Sequence, residues 1–320
     1  MTKILPIYPI SNRIKSRYLR DNLDIEIIPF VDCNLACDFC EVRSLDQKKK
    51  NFHVYSECFE RLINVIQRKP KFKSMSVHLS GGELFQDKFK TCDDVIQFVD
   101  NLISLSKKLN VLLKIVATTN LVHHNIDTIK ELAKRNVVVN TSYDFVGRFT
   151  KDSQIRLWWE NIEKLYKDDI CPQITIIAHK QNIDQILEKN PTFDRLCEYN
   201  VSFEKYVDAN NIQKYVIDDR QLAHFYRYLF YNYPNVHPIC DYLVSDSQSI
   251  NVCSMQTLDI LPNQTNWECC DKQKAFVDLV KIKGCATCEY NNYCCVSCPN
   301  EMDKSSFCIH KEMYKLCRNI

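Results

Sequence analysis

Val31-Asp32-Cys33-Asn34-Leu35-Ala36-Cys37-Asp38-Phe39-Cys40 sets three cysteines in a C-x3-C-x2-C run, directly after the short stretch Asp24 to Phe30. Three thiolates at this spacing can grip three corners of a cubane iron–sulfur cluster and leave the fourth iron without a protein ligand. Structural zinc and electron-transfer sites ordinarily close their shell with four ligands. A three-ligand run therefore points to something exchangeable on the open metal. A zinc knuckle would need a fourth ligand close by, and a disulfide framework would need an exported chain.

Outward from this run, short apolar stretches alternate with longer helical patterns. The alternation predicts strands near Asp24–Phe30, Met75–Leu79, Val111–Thr118, Val137–Thr141, Gln173–Ala178 and Val201–Val207. Helices are expected near Ser56–Arg68, Cys92–Leu109, Asn125–Arg135, Ser153–Lys167, Ile183–Tyr199 and Asp218–Tyr231. This is the signature of a parallel α/β architecture. Six strand–helix units fit a partial (β/α)6 barrel, and the pattern equally allows a doubly wound sheet. In either, chemistry gathers at the carboxyl ends of the strands, which is where the cysteine run falls.

The 320 residues can bury one large core, or a core with a small appendage. Net charge is +2, so the chain projects no long-range field toward nucleic acid or a membrane. The first residues carry no apolar stretch followed by a small-residue cleavage site, and no run approaches 18 apolar residues. The expected location is the cytoplasm. Eighteen cysteines in that compartment argue for metal ligation over disulfides.

A second motif follows the predicted second strand, Ser80-Gly81-Gly82-Glu83-Leu84. The chain has four glycines, and two stand here together, where they would let the backbone approach a neighbour closely. Together the two motifs resemble those of the radical S-adenosylmethionine (SAM) superfamily, C-x3-C-x-aromatic-C with Phe39 in the aromatic slot, and G-G-E-P with Leu84 in place of proline. The resemblance implies a partial (β/α)6 barrel, one 4Fe–4S cluster on Cys33, Cys37 and Cys40, and SAM chelated to the open iron. It implies that Gly81, Gly82 and Glu83 border the SAM amino group. Reductive cleavage of SAM would give a 5′-deoxyadenosyl radical that abstracts hydrogen from an unactivated carbon. The cofactor carries that step, and the protein positions it.

Other strand ends carry weaker likenesses. Ser142-Tyr143-Asp144 follows the fourth strand where relatives often show S-x-D and use the serine near SAM. Arg156 lies where some relatives place an arginine for the SAM carboxylate. Asn120 after Thr118-Thr119 resembles a T-N-G strand end with Leu121 replacing the glycine. Trp158 and Trp159 read as helix packing.

From Cys253 to Cys317 the chain holds ten cysteines. Cys285, Cys288, Cys294 and Cys298 form C-x2-C-x5-C-x3-C, preceded by Cys253 and Cys269 and followed by Cys308. This order resembles the SPASM auxiliary domain, with Gln264 where the family has glycine. The resemblance implies an outer auxiliary cluster on Cys285, Cys288, Cys294 and Cys308, and an inner one on Cys253, Cys269 and Cys298. The inner cluster would either keep an open iron or be closed by Cys240 or Cys270. A pair of structural zinc sites is the alternative for this tail. In one group of such enzymes an acidic general base follows a ligating cysteine. Here Asp271 follows Cys270, one residue out of register with Cys269.

The boundaries expected are an N-terminal segment over 1–20, the barrel over 21–235 and the cysteine-rich domain over 236–320. Relatives with this tail mostly modify peptides or proteins, by cross-linking, epimerisation, or oxidation of a Cys or Ser side chain. A peptide or protein substrate is therefore expected, with dehydrogenation or rearrangement of a small molecule such as a sugar, nucleoside or amino acid as the alternative. A low-potential flavodoxin or ferredoxin would supply electrons. A plain iron–sulfur electron carrier or zinc-binding module would have no use for Gly81-Gly82-Glu83.

Overall fold

The computed structural model describes residues 22–40, 55–67, 72–88, 93–206, 213–240, 256–260, 265–266 and 307–318. Strands β1 (Asn22–Ile27), β2 (Ser74–Leu79), β3 (Leu112–Thr119), β4 (Val138–Ser142), β5 (Gln173–Ala178) and β6 (Asn200–Lys205) lie side by side in sequence order. All five contacts between them are parallel. Helices α1 (Tyr55–Gln67), α2 (Asp93–Leu109), α3 (Ile126–Lys134), α4 (Asp152–Lys167), α5 (Lys180–Leu187) and α6 (Pro191–Leu196) fall between the strands, and α7 (Asp219–Asn232) follows β6.

The strand order decides between the two architectures left open by the sequence. A doubly wound sheet reverses at a switch point, and this sheet runs one way throughout. Right-handed crossovers in such an order bring all the helices to one face. The result is a partial (β/α)6 barrel that stays open. Its opening has a cause, because both edges of β1 are occupied. β2 takes one, and β7 (Gln256–Ile260) pairs parallel along the other, Ile27 opposite Ile260. β8 (Thr265–Asn266) then folds back antiparallel on β7. Part of the expected cysteine-rich segment is thus built into the barrel sheet. α8 (Ile309–Arg318), near the C-terminus, packs on α7.

The registers sort side chains by period two. Leu23, Ile25 and Ile27 align with Met75, Val77 and Leu79, and then with Leu113, Ile115 and Ala117, to form an apolar face beneath the helices. Val139, Ile174, Ile176, Val201 and Phe203 continue it. The opposite, inner face carries Glu26, His78, Lys114, Asn140, Thr175 and Ser202. These are side chains that donate and accept hydrogen bonds.

One expected helix is two. Ile183–Tyr199 is broken between Leu187 and Pro191, with Lys189 in the left-handed region at φ 60°. Pro191 has no N–H to donate, and its ring would strike the carbonyl of the preceding turn. The Asn190 side chain caps the new helix by accepting from Thr192 N at 3.0 Å. Asp218 caps α7 rather than opening it, accepting from Gln221 N at 2.8 Å. The N-terminal segment over 1–20 lies outside the described residues.

Trp158 on α4 has the expected packing role. It is fully buried, meets Tyr143 edge to face at 4.9 Å, and donates its indole N–H to Thr141 Oγ1 at 3.3 Å. Trp158→Ala should reduce the unfolding free energy by about 3–5 kcal/mol, measured as a lower urea midpoint with an unchanged slope.

Candidate active site

The cysteine loop leaves the carboxyl end of β1, and the glycine turn leaves the carboxyl end of β2 beside it. The ladder between the two strands continues into these loops, with Ser80 N donating to Ile27 O at 3.0 Å, Gly82 N to Phe30 O at 2.8 Å and Glu83 N to Asp32 O at 3.0 Å. A Cβ on Gly82 would stand 1.7 Å from Asp32 O, and one on Gly81, at φ +127°, would stand 2.5 Å from Phe30 O. Glycine is therefore required here by the backbone of the cysteine loop itself. Asp32 O also accepts from Gln86 Nε2 at 2.8 Å, and Lys88 pairs with the Asp32 carboxylate.

Glu83 is 1% exposed and ties β2 to β3. Its Oε1 accepts from Phe85 N at 3.1 Å and Thr119 Oγ1 at 2.8 Å, and its Oε2 from Asn120 N at 2.5 Å. Burial raises its pKa to about 7 despite these three donors. His123, also fully buried, stacks near Phe85 and is held neutral by burial, with a pKa lowered to about 4. Leu121 takes φ 56° and is 0% exposed, so the position where the T-N-G resemblance has glycine keeps a glycine-like backbone with leucine in it. Asn161 from α4 clamps that turn, donating to Leu121 O at 3.0 Å and His123 O at 2.7 Å.

The other side of the cysteine loop rests on the loop after β4. Asp38 N donates to Gly147 O at 3.2 Å, and a Cβ on Gly147, at φ +88°, would lie 2.6 Å from the Tyr215 hydroxyl and 3.0 Å from the Phe39 ring. Phe39 is buried among His179 at 5.4 Å and Tyr215 at 5.6 Å, with the Arg148 guanidinium 5.5 Å over its face. Arg148 Nε donates to Asp144 Oδ2 at 2.6 Å. Asp144 in turn accepts from Ile177 N at 3.0 Å and Asn182 Nδ2 at 2.6 Å. Tyr215 OH and Lys214 Nζ reach Asp38 Oδ2 at 3.1 and 3.0 Å. His179 caps α5 by accepting from Asn182 N at 3.2 Å, and burial lowers its pKa to about 4.

Burial pushes the Cys33 thiol up to about 11, with Glu83, Cys37 and Cys40 adding to it and a hydrogen bond from Leu35 N opposing. Cys37 is raised by burial too, and Arg148 opposes the rise. The three sulfurs feel one another electrostatically, yet among the described residues no three His, Cys, Asp or Glu side chains converge on one ion.

Ser142 ends β4 on the inner face, half-buried and without a side-chain hydrogen bond among the described residues. Arg156 stands exposed on α4 and is not brought to the cysteine loop. Arg148, which the sequence reading did not single out, is the arginine brought to the cysteine loop, with 11% of its side chain exposed. The available signal was glycine scarcity, since three of the four glycines pack on the cysteine loop or its partners. Cys308 is half-buried just before α8, beside Phe307, whose ring lies 5.6 Å beneath Arg220. Cys253, Cys269, Cys270, Asp271, Cys285, Cys288, Cys294 and Cys298 lie outside the described residues, as does Gln264.

No protein-family model and no curated protein matches the sequence. Solved structures do match the fold. anSMEcpe with bound AdoMet aligns with a TM-score of 0.61 at 14% identity, over 93% of this chain and 98% of that one. The same protein with bound AdoMet and the Kp18Cys peptide gives 0.60. Streptococcus suis SuiB bound to precursor peptide SuiA gives 0.52 at 19% identity, over 79% of this chain and 60% of SuiB. At these identities the likeness establishes a shared fold.

Two outcomes follow from the geometry. Gly82→Ala should speed alkylation of Cys33, Cys37 and Cys40 by an added thiol reagent while far-ultraviolet circular dichroism stays close to wild type, because the displaced element is the cysteine loop. Glu83 titrates near 4.5 when unfolded and near 7 when folded, so the folded chain holds its proton more tightly. Its contribution to stability is complete below pH 4.5, declines as pH rises through about 7, and is flat beyond. Urea midpoints at pH 5 and pH 7.5 should therefore differ less in Glu83→Gln than in wild type.

Proposed function

We propose that the chain is a radical SAM enzyme that abstracts hydrogen from a peptide or protein side chain. The observation that carries the reading is the cysteine loop itself. Cys33, Cys37 and Cys40 sit at the carboxyl end of β1, wedged between the glycine turn after β2 and the Gly147 loop after β4, on an open six-strand barrel. Proteins sharing this fold bind AdoMet, and two have been crystallised with peptides.

When bound, a 4Fe–4S cluster with SAM supplies reductive cleavage of the sulfonium sulfur–carbon bond and a 5′-deoxyadenosyl radical. Cys33, Cys37 and Cys40 would hold the cluster. Gly81, Gly82 and Glu83 border the SAM amino group, and Ser142 faces SAM from β4. Phe39, Tyr215 and His179 form a close-packed wall on one side of the loop, against the buried Cys37. The inner face presents Glu26, His78, Lys114, Asn140, Thr175 and Ser202, a surface suited to a substrate rich in amide donors and acceptors.

The finer assignments belong to the same reading. Cys253, Cys269, Cys285, Cys288, Cys294, Cys298 and Cys308 hold two auxiliary 4Fe–4S clusters in a SPASM-type domain over 236–320, following a barrel over 21–235. Asp271 serves as proton acceptor at the substrate, and the net outcome is an oxidation. A low-potential flavodoxin or ferredoxin delivers the electron in the cytoplasm. Among the described residues no helix is long and apolar enough to cross a membrane.

Anaerobic reconstitution with iron and sulfide counting tests the proposal. Wild type should hold about twelve irons, and a Cys33→Ala, Cys37→Ala, Cys40→Ala variant about eight, with SAM cleavage lost in the variant. Cleavage should accelerate with peptides bearing Cys or Ser. Acceleration by a small metabolite without any peptide response would rule out the peptide assignment.

A further inference from the structure

We propose that the Asn120 side chain is a positioning residue that donates a hydrogen bond to the Cys33 sulfur and so raises the reduction potential of the cluster held by Cys33, Cys37 and Cys40. The inference rests on the function proposed above.

The amide orientation follows from its partners. Asn120 Oδ1 accepts from Val122 N at 2.8 Å, which turns Nδ2 toward the cysteine loop. Of the two Nδ2 hydrogens, one reaches Asn34 Oδ1 at 2.7 Å and the other Cys33 Sγ at 3.6 Å. Asn34 is oriented in turn, because its Nδ2 donates to Val122 O. The two amides thus close a ring on both backbone groups of Val122, and the remaining Asn120 N–H is aimed at Cys33. Asn120 is 7% exposed, so water does not compete freely for that donor.

The mount is rigid. The Asn120 backbone N–H is held by Glu83 Oε2, and the turn carrying it is clamped by Asn161. Leu35 N supplies a second donor to Cys33 Sγ at 3.4 Å. Sequence likeness flags Asn120 as part of a strand end. The structure assigns its side chain a job that the strand end does not need.

Negative charge on the ligating sulfurs grows when a cluster is reduced. An N–H donor aimed at one of them stabilises the reduced form more than the oxidised form, and donors to ligand sulfurs are a recognised lever on potential. Asn120 would therefore ease reduction of the site by the external donor.

The test is an EPR-monitored redox titration of the reconstituted full chain, with the site cluster isolated by difference from the triple cysteine variant. Asn120→Ala removes both amide bonds. Asn120→Asp keeps the acceptor for Val122 N and loses the donor. Asn34→Ala removes the other partner of the amide and leaves the contact with Cys33. Both Asn120 variants should titrate at more negative potential than wild type, and Asn34→Ala close to it. Equal potentials in all four proteins overturn the assignment. An Asn34→Ala shift as large as those at Asn120, or loss of the cluster from both Asn120 variants, also overturns it, leaving Asn120 a scaffold residue. A wild type whose iron content does not depend on Cys33, Cys37 and Cys40 fails the enzyme reading instead.

Discussion

The contact between Gly82 and Asp32 carries the site. Two backbones meet there with no room for a single carbon, and Gly82 N and Glu83 N extend the β1–β2 ladder past the ends of both strands. A loop holding three metal ligands cannot be left to find its own shape, since irregular backbone loses conformational entropy on ordering. Extending the ladder gives that loop the rigidity of a sheet. Every neighbouring feature then builds on a fixed platform: Gln86 and Lys88 on Asp32, Asn120 on Cys33, and Gly147 on Asp38.

Two buried carboxylates share the work of holding the platform's neighbours. Burying a carboxylate is costly unless its lone pairs are met, and both are met by the strand ends they join. Glu83 gathers Phe85 N, Thr119 Oγ1 and Asn120 N, fastening β2 to β3. Asp144 gathers Ile177 N, Asn182 Nδ2 and Arg148 Nε, fastening β4 to β5 and to the Phe39 wall. Each carboxylate stands behind a donor that faces the cysteines, an amide in one case and a guanidinium in the other. The negative charge is kept one layer back from the thiolates, and the positive ends of the dipoles are turned toward them.

Much of the barrel was legible because its signals are local. Period-two strands, helical faces and paired motifs located six strands to within three residues at each end, and only β-strand order distinguished a barrel from a doubly wound sheet. The break at Pro191 was visible in the sequence, but the apolar positions on either side read as one continuous helix. Arg156 was singled out by family likeness, which carries no information on the path of the loop after β4. Gly147 turns that loop back onto Phe39 and brings the nearer arginine inward. The roles of His179, Tyr215 and the Asn120 amide depend on which elements meet in space, and one sequence does not encode that in any window.

The polarity of the inner face follows from the same register that builds the core. Once Leu23, Ile25, Met75, Val77, Ile115 and Ile174 are committed to the helices, strand geometry sends their neighbours the other way. Those neighbours could have been apolar, as in closed barrels whose interiors are filled by packed branched side chains. Here Val116, Val138 and Ile177 are apolar while Glu26, His78, Lys114, Asn140, Thr175 and Ser202 are polar, and some of these satisfy one another, as Thr175 Oγ1 and Ser202 Oγ do at 3.2 Å. β7 on the free edge of β1 holds the barrel open. The same alternation that packs one face of the strands beneath the helices therefore lines the other with hydrogen-bonding groups, at the end of which the cysteine loop is fixed.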